Sequence, residues 1–239
     1  MRSRKLLLIL WLLLLPLLVA ALFCPLRLGL VRLTVTACVL GLWSGGLALG
    51  YSRKPVRILC IAFALLTAGL FLPGRPAAPD SLQAAYTTAL RHYEGTPYVW
   101  GGGNRQGIDC SGLVSQAMID ADLNVGLRTA NPRLIREGLS LWWHPCTAEV
   151  LGKGYEGRTR QLLTTPSLNA LDGRRLIPGD IAVTTGGGHT MAYLGNHTWI
   201  EADPNLLYGD KVILVETPTR NAWFREPMCL MRWRQFEGS

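Results

Sequence analysis

The sequence predicts an α+β domain carried behind a membrane region, and three observations predict it. Before residue 73 the 239-residue chain consists largely of uncharged apolar runs. From Leu82 to Ala121 apolar residues recur at helical spacing, and from Pro178 onward the period shortens to that of strands separated by glycine turns. Helices first and an antiparallel sheet afterwards define the α+β class, with the N-terminal helices packed on the sheet.

The net charge of +8 invites a nucleic-acid reading until it is divided along the chain. Residues 1–76 hold nine Lys/Arg and no Asp/Glu, whereas residues 77–239 hold fifteen Lys/Arg against sixteen Asp/Glu. The basic character belongs to the apolar part, where it encodes membrane topology, and the remainder offers no basic stripe for a phosphate backbone. Nucleic acid is excluded as a partner.

Three apolar segments are read as membrane spans. Residues 6–23 are an uncharged run behind the basic start Met1-Arg-Ser-Arg-Lys5, and Pro16 is tolerated within a span. A cleaved leader is the rival, weakened because Ala21-Leu22-Phe23 puts a large aromatic before Cys24. Residues 33–50 form the second candidate and residues 58–72 a shorter third. Arg2, Arg4, Lys5 and then Arg53, Lys54, Arg57 outnumber Arg27 and Arg32, which places the N-terminus and the second connection in the cytoplasm and everything after residue 72 outside. Gly41, Gly45, Gly46 and Gly50 have the spacing of a close helix contact, which suits self-association but also reflects how common small residues are in such helices.

Residues 73–79, Pro-Gly-Arg-Pro-Ala-Ala-Pro, read as a stiff linker between a membrane region, 1–72, and an exported domain, 80–239. Asp80 looks like an N-cap with Gln83 three residues on, opening a helix whose apolar face is Leu82, Ala85, Tyr86, Ala89, Leu90 and Tyr93. Cys110 follows a glycine-rich approach and precedes Leu113, Val114, Ala117, Met118 and Ala121 at helical spacing, so it falls in the first turn of a helix. Unpaired amides and the dipole there favour an anion, as a thiol nucleophile requires. Glycines 101–103 and 107 do not form a nucleotide loop.

Residues 124–176 are the least legible part. Asn131-Pro132 starts a short helix through about Leu139, Trp142 and Trp143 read as core in preference to the wall of a substrate groove, and His144 and Cys146 lack a second ligand pair, so no metal site is expected. Beyond Pro178-Gly-Asp180, strands are expected at 181–183, 189–194, 198–203, 211–216 and 228–233, with a turn at Gly195-Asn196. His189 opens a strand behind three glycines that would allow close approach of a substrate or of the Cys110 helix. His92, His144 and His197 are less well placed to serve as base. Folding the hairpin back brings Glu201 within about one residue of the position opposite His189, where a carboxylate could orient the imidazole.

The motifs Y-V-W-G-G, D-C-S-G-L-V, P-G-D-I-A-V, H-T-M-A-Y-L-G-N and W-I-E-A, in that order, resemble the NlpC-type cell-wall cysteine peptidases of the papain-like superfamily across roughly residues 80–235. The resemblance implies Cys110 as nucleophile, His189 as general base and Glu201 at a third position that is often His. It implies that Tyr98, Asp109 and Ser111 line the site and could receive a free amino terminus. It also implies peptidoglycan stem peptides as substrate, commonly at the bond between D-glutamate and a diamino acid, with no cofactor. An amidase or acyltransferase on another amide or ester, and a catalytically silent wall-binding scaffold, are the rival readings. Cys146 and Cys229 could bridge each other in an exported domain or stay as separate buried thiols.

Overall fold

The computed structural model of the chain describes residues 2–237. It opens with α1 (Arg2–Phe23), α2 (Gly29–Gly50) and α3 (Lys54–Gly69). Two stretches, Arg4–Phe23 and Gly29–Gly50, are long and apolar enough to cross a membrane, and only 0% and 6% of their apolar windows are buried within the chain. A soluble core helix of that composition would be buried. α3, where the third span is expected, has 16 residues and rises about 24 Å, against a hydrocarbon core of about 30 Å. Gly41 and Gly45 face Leu14 and Trp11 of α1, while Gly46 and Gly50 face Cys60 and Val56 of α3. A Cβ on Gly45 would come within 2.1 Å of the Trp11 ring, so the small-residue stripe is filled by the chain's own helices.

The domain contains α4 (Pro79–His92), α5 (Cys110–Arg128), α6 (Pro132–Trp143) and the short α7 (Ala148–Gly152). Its strands are β1 (Gly103–Asn104), β2 (Gly107–Ile108), β3 (Thr159–Thr165), β4 (Ile181–Thr184), β5 (Thr190–Gly195), β6 (Thr198–Asp203), β7 (Lys211–Glu216) and β8 (Met228–Trp233). The last six form one antiparallel sheet in the order β3-β8-β4-β5-β6-β7. Mixed helix and antiparallel sheet agree with the α+β expectation.

Strand alternation explains the two cores. One face contributes Ile181, Val183, Ala192 and Ile200 to a cluster with Leu82, Tyr86 and Leu90 of α4 and Leu113, Ala117 and Met118 of α5. The other contributes Ala182, Met191, Tyr193, Trp199 and Leu230 to a cluster with Leu168 and Phe224. The helix bearing Cys110 is therefore buried against the sheet along much of its length.

Several local expectations are corrected. Asp80 is not the cap of α4: Ala78 is, because Pro79 is pre-set for the first helical position, and Asp80 lies in the first turn where a negative charge suits the dipole. Gln83 donates instead to the carbonyl of Pro178, 2.6 Å away. Asn131 caps α6 as expected, but the helix continues through Trp143. The β5–β6 turn centres on Asn196 and His197, both at positive φ, one residue later than read from the sequence. Of the glycines before His189, Gly187 packs on α7 and not on α5: a Cβ there would meet the backbone of Glu149 at 2.5 Å, whereas Gly186 has open space around it. Cys146 and Cys229 are both free thiols, Cys229 lying within β8 opposite Val183 and Thr164.

Candidate active site

Cys110 is the first residue of α5, capped by Asp109, whose carboxylate accepts from the amide of Gly112. The Asp109 carboxylate accepts also from the amide of Gly101 at 2.9 Å and from Ser111 Oγ at 2.9 Å. A Cβ on Gly112 would meet the Gly102 carbonyl at 2.2 Å, so the glycine-rich approach packs directly on the first turn of the helix. The thiol sits where a helix terminus presents unsatisfied N–H groups.

His189 ends the turn between β4 and β5, with its amide held by Thr184 Oγ1 at 2.8 Å. Its Nε2 lies 2.7 Å from Glu201 Oε2, and both side chains are buried. The observed register, Ala192 with Ile200, extends to Met191 opposite Glu201 and His189 opposite Asp203. Glu201 therefore reaches His189 as a diagonal neighbour, two positions from direct opposition and not one. With Nε2 engaged by Glu201, Nδ1 is the ring nitrogen left to face Cys110.

Burial pulls the His189 imidazolium down, but the hydrogen bonds and charges of Cys110 and Glu201 outweigh it and lift its pKa from 6.5 to about 9. Glu201 is raised by burial, against the pull of His189 and of an amide from Asn221. At neutral pH the arrangement favours an imidazolium buried between a carboxylate and a thiol, which can hold a thiolate and later release a proton.

Residues absent from the sequence reading complete the site. Asn221 Nδ2 donates to Glu201 Oε1 at 2.7 Å and to Asp203 Oδ2 at 3.0 Å, tying two buried carboxylates to one amide. Trp223 stacks on the His189 ring with centroids 4.4 Å apart and planes at 16°. Neither lies in a periodic segment. The capping side chain of Asn221 on a short turn, accepting from the amide of Trp223, was the one signal available.

Tyr98 lies beside Cys110: burial, and then the charges of Cys110 and Asp109, push its phenol pKa upward. Asp109 and Ser111 are also adjacent to Cys110, but they are already partnered. Arg27, from the segment between α1 and α2, places Nη2 at 2.9 and 3.0 Å from the two Asp109 oxygens and 2.9 Å from Ser111 Oγ. Its Nη1 reaches Ser115 Oγ at 3.1 Å and the Cys146 carbonyl at 3.4 Å. Among the described residues there is no cluster of His, Cys, Asp and Glu able to hold a metal ion.

Solved structures of similar proteins include NlpC2 from Trichomonas vaginalis, at 21% identity over 64% of this chain and 47% of that one, with a TM-score of 0.41. The P60 domain of an M. avium subspecies paratuberculosis antigen is 20% identical over 65% of this chain and 97% of its own, with a TM-score of 0.40. A Bacillus cereus NlpC/P60 family protein is 17% identical over 66% and 41%, with a TM-score of 0.41. The chain spans about half the length of the first of these. No curated protein matches it. Residues 95–223, more than half of the chain and including Cys110, His189 and Glu201, match the model of the NlpC/P60 family, and to that family the chain belongs.

Proposed function

We propose that the chain is a membrane-anchored cysteine endopeptidase that hydrolyses stem peptides of peptidoglycan, at the bond between D-glutamate and the diamino acid. Membership of the NlpC/P60 family supports a peptidoglycan hydrolase. The observation that carries the reading is the buried 2.7 Å contact of His189 with Glu201, next to a thiol at a helix N-terminus. Anchoring is supported by the outward-facing leucines of α1 and α2.

In this reading the Cys110 thiolate attacks the amide carbonyl and forms a carbon–sulfur bond. The amides of Gly112 and Leu113 are taken by Asp109, so those of Cys110 and Ser111 are the ones left to receive the oxyanion. The His189 imidazolium gives its proton to the departing amine as the carbon–nitrogen bond breaks. Water then attacks the thioester, its proton passing to His189, and the carboxylic acid leaves while Cys110 is restored. Glu201 holds the ring in orientation and balances its charge through both half-reactions.

The test is mass spectrometry of defined muropeptides incubated with the full chain in detergent, beside the Cys110→Ala protein. Release of the fragment beginning with the diamino acid, only when the thiol is present, supports the endopeptidase and identifies its bond. Intact muropeptides after incubation with folded protein whose Cys110 alkylates normally would overturn it.

A further inference from the structure

The domain is fastened to the anchor at two places, and one of them is the active site. The Arg27 amide donates to the Gly101 carbonyl at 2.8 Å, the Gly103 amide to the Pro25 carbonyl at 2.8 Å, and Asn104 Nδ2 to the Cys24 carbonyl at 2.8 Å. A Cβ on Gly103 would meet Arg27 Cδ at 2.3 Å, so these glycines are shaped around the segment that joins α1 to α2. At the second place, Arg136 of α6 donates to the carbonyls of Leu70 and Leu72, just past α3, and Asn131 Nδ2 donates to the Arg75 carbonyl at 2.8 Å. The helix bearing Cys110 runs between the two attachments, since its first turn binds Arg27 and Asn131 follows its end by three residues.

Chain reach sets the height of the site above the bilayer. Arg27 lies two residues before Gly29, the first residue of α2, so about 7 Å of chain separates them at most, and about 14 Å separates it from Phe23, the last residue of α1. The headgroup layer extends roughly 5–7 Å beyond the hydrocarbon on each side. Asp109, in direct contact with the Arg27 guanidinium, and Cys110 next to it are therefore held at the level of the headgroups or just above them.

Side chains around the attachment fit that placement. Trp100, adjacent to the Gly101 that pairs with Arg27, is 82% exposed. Trp143, expected in the core, is instead 43% exposed, and its carbonyl accepts from Arg32 in the first turn of α2. Two outward-facing tryptophans beside the ends of membrane helices are the side chains that favour an interface between lipid and water.

We propose that the Cys110 site acts on stem peptides still tethered to the bilayer through a lipid, in preference to peptides held away from the membrane. The inference rests on the anchored-hydrolase reading and adds the substrate's carrier. A peptide joined to a lipid by a short polar link presents its bonds at the height where Arg27 fixes the site. Tethering also confines enzyme and peptide to one surface, raising the effective concentration.

The test uses the full chain in phospholipid vesicles with one stem peptide offered in two forms, free in solution and attached to a lipid by a short spacer. The tethered form is expected to be cleaved at least about tenfold faster. In a Trp100→Ser/Trp143→Ser variant most of that advantage is lost, while the rate on the free peptide is unchanged. Equal rates on the two forms, or faster cleavage of the free peptide, would overturn the proposal and leave the hydrolase reading intact. Failure to cleave either form would remove both.

Discussion

Arg27 and Asp109, 82 residues apart, form a bridge 2.9 Å long that joins the segment between the first two helices to the residue capping the helix of Cys110. Asp109 is thereby held by a guanidinium, two backbone amides and a serine hydroxyl. An Arg27→Ala change leaves a carboxylate next to Cys110 without its cation. Expected outcomes are a fall in the rate of Cys110 alkylation at pH 7 of about tenfold and a matching loss of kcat. Changing Asp109→Asn in the same protein removes the uncompensated charge and restores much of the alkylation rate. Mass spectrometry of the Cys110 peptide follows this without interference from the other five cysteines. Unchanged alkylation in Arg27→Ala would show that the bridge fastens the domain without acting on the thiol.

The charge on Glu201 makes a separate prediction. In Glu201→Gln the hydrogen bond to His189 can persist, but the charge that helps lift the imidazole to about 9 is gone. The basic limb of the kcat/KM profile then moves to lower pH, and the rate falls on the order of 10–100-fold. That loss is smaller than for His189→Ala, because the base is weakened and not removed. Stability has the same sign: a His with a raised folded-state pKa contributes its full stabilisation below about 6.5 and loses it as pH rises through about 9. A basic limb that does not move in Glu201→Gln would mean that Glu201 does not set the protonation of His189.

Legibility in the sequence tracked locality. Cys110 and His189 were readable because each sits at the junction of a glycine-rich turn and a periodic segment, so the neighbouring pattern announces the position. Glu201 followed from folding one hairpin, although the turn fell one residue later than expected and the contact is diagonal. Arg27 was read only as a topology charge, since nothing local indicates a partner 82 residues away. Asn221 and Trp223 reach the site from a turn between β7 and β8 that has no period to read. Strand β3 escaped because Thr159–Thr165 has no clean alternation of apolar and polar residues, and its pairing with β8 shifts between Gln161 and Leu163. The third apolar segment, residues 58–72, continues past the end of α3 at Gly69, because hydropathy marks the apolar stretch and not the helix boundary.

Asn221 carries a stability prediction. Its amide donates to both Glu201 and Asp203, which are each fully buried. Asn221→Ala leaves two buried carboxylates short of a donor and is expected to cost about 2–3 kcal/mol, seen as a lowered midpoint in thermal unfolding. Asn221→Asp is expected to be worse, since it places a third acid against the first two. An Asp variant as stable as the Ala variant at neutral pH would mean that the carboxylates are not charged together.

Asp122 lies outside the site, buried in α5, with Gln235 donating to Oδ1 at 3.1 Å and no partner for Oδ2 among the described residues. Burial, only partly offset by Gln235, pushes its pKa from 3.8 to about 8, with the charge of Glu137 adding to the rise and that of Arg158 opposing it. Because the folded state holds this proton more tightly than the unfolded chain, the folded protein binds more protons between about pH 4 and pH 8. Stability therefore falls as pH rises through that window, by about 1 kcal/mol per pH unit from this group alone, and levels off above it. Asp122→Asn keeps an oxygen for the Gln235 amide and removes the titration. The gain in melting temperature of the variant over the parent should thus be small at pH 5 and larger at pH 8.5. A gain of equal size at both values would show that Asp122 is ionised in the folded protein throughout, with its buried oxygen satisfied by some other donor.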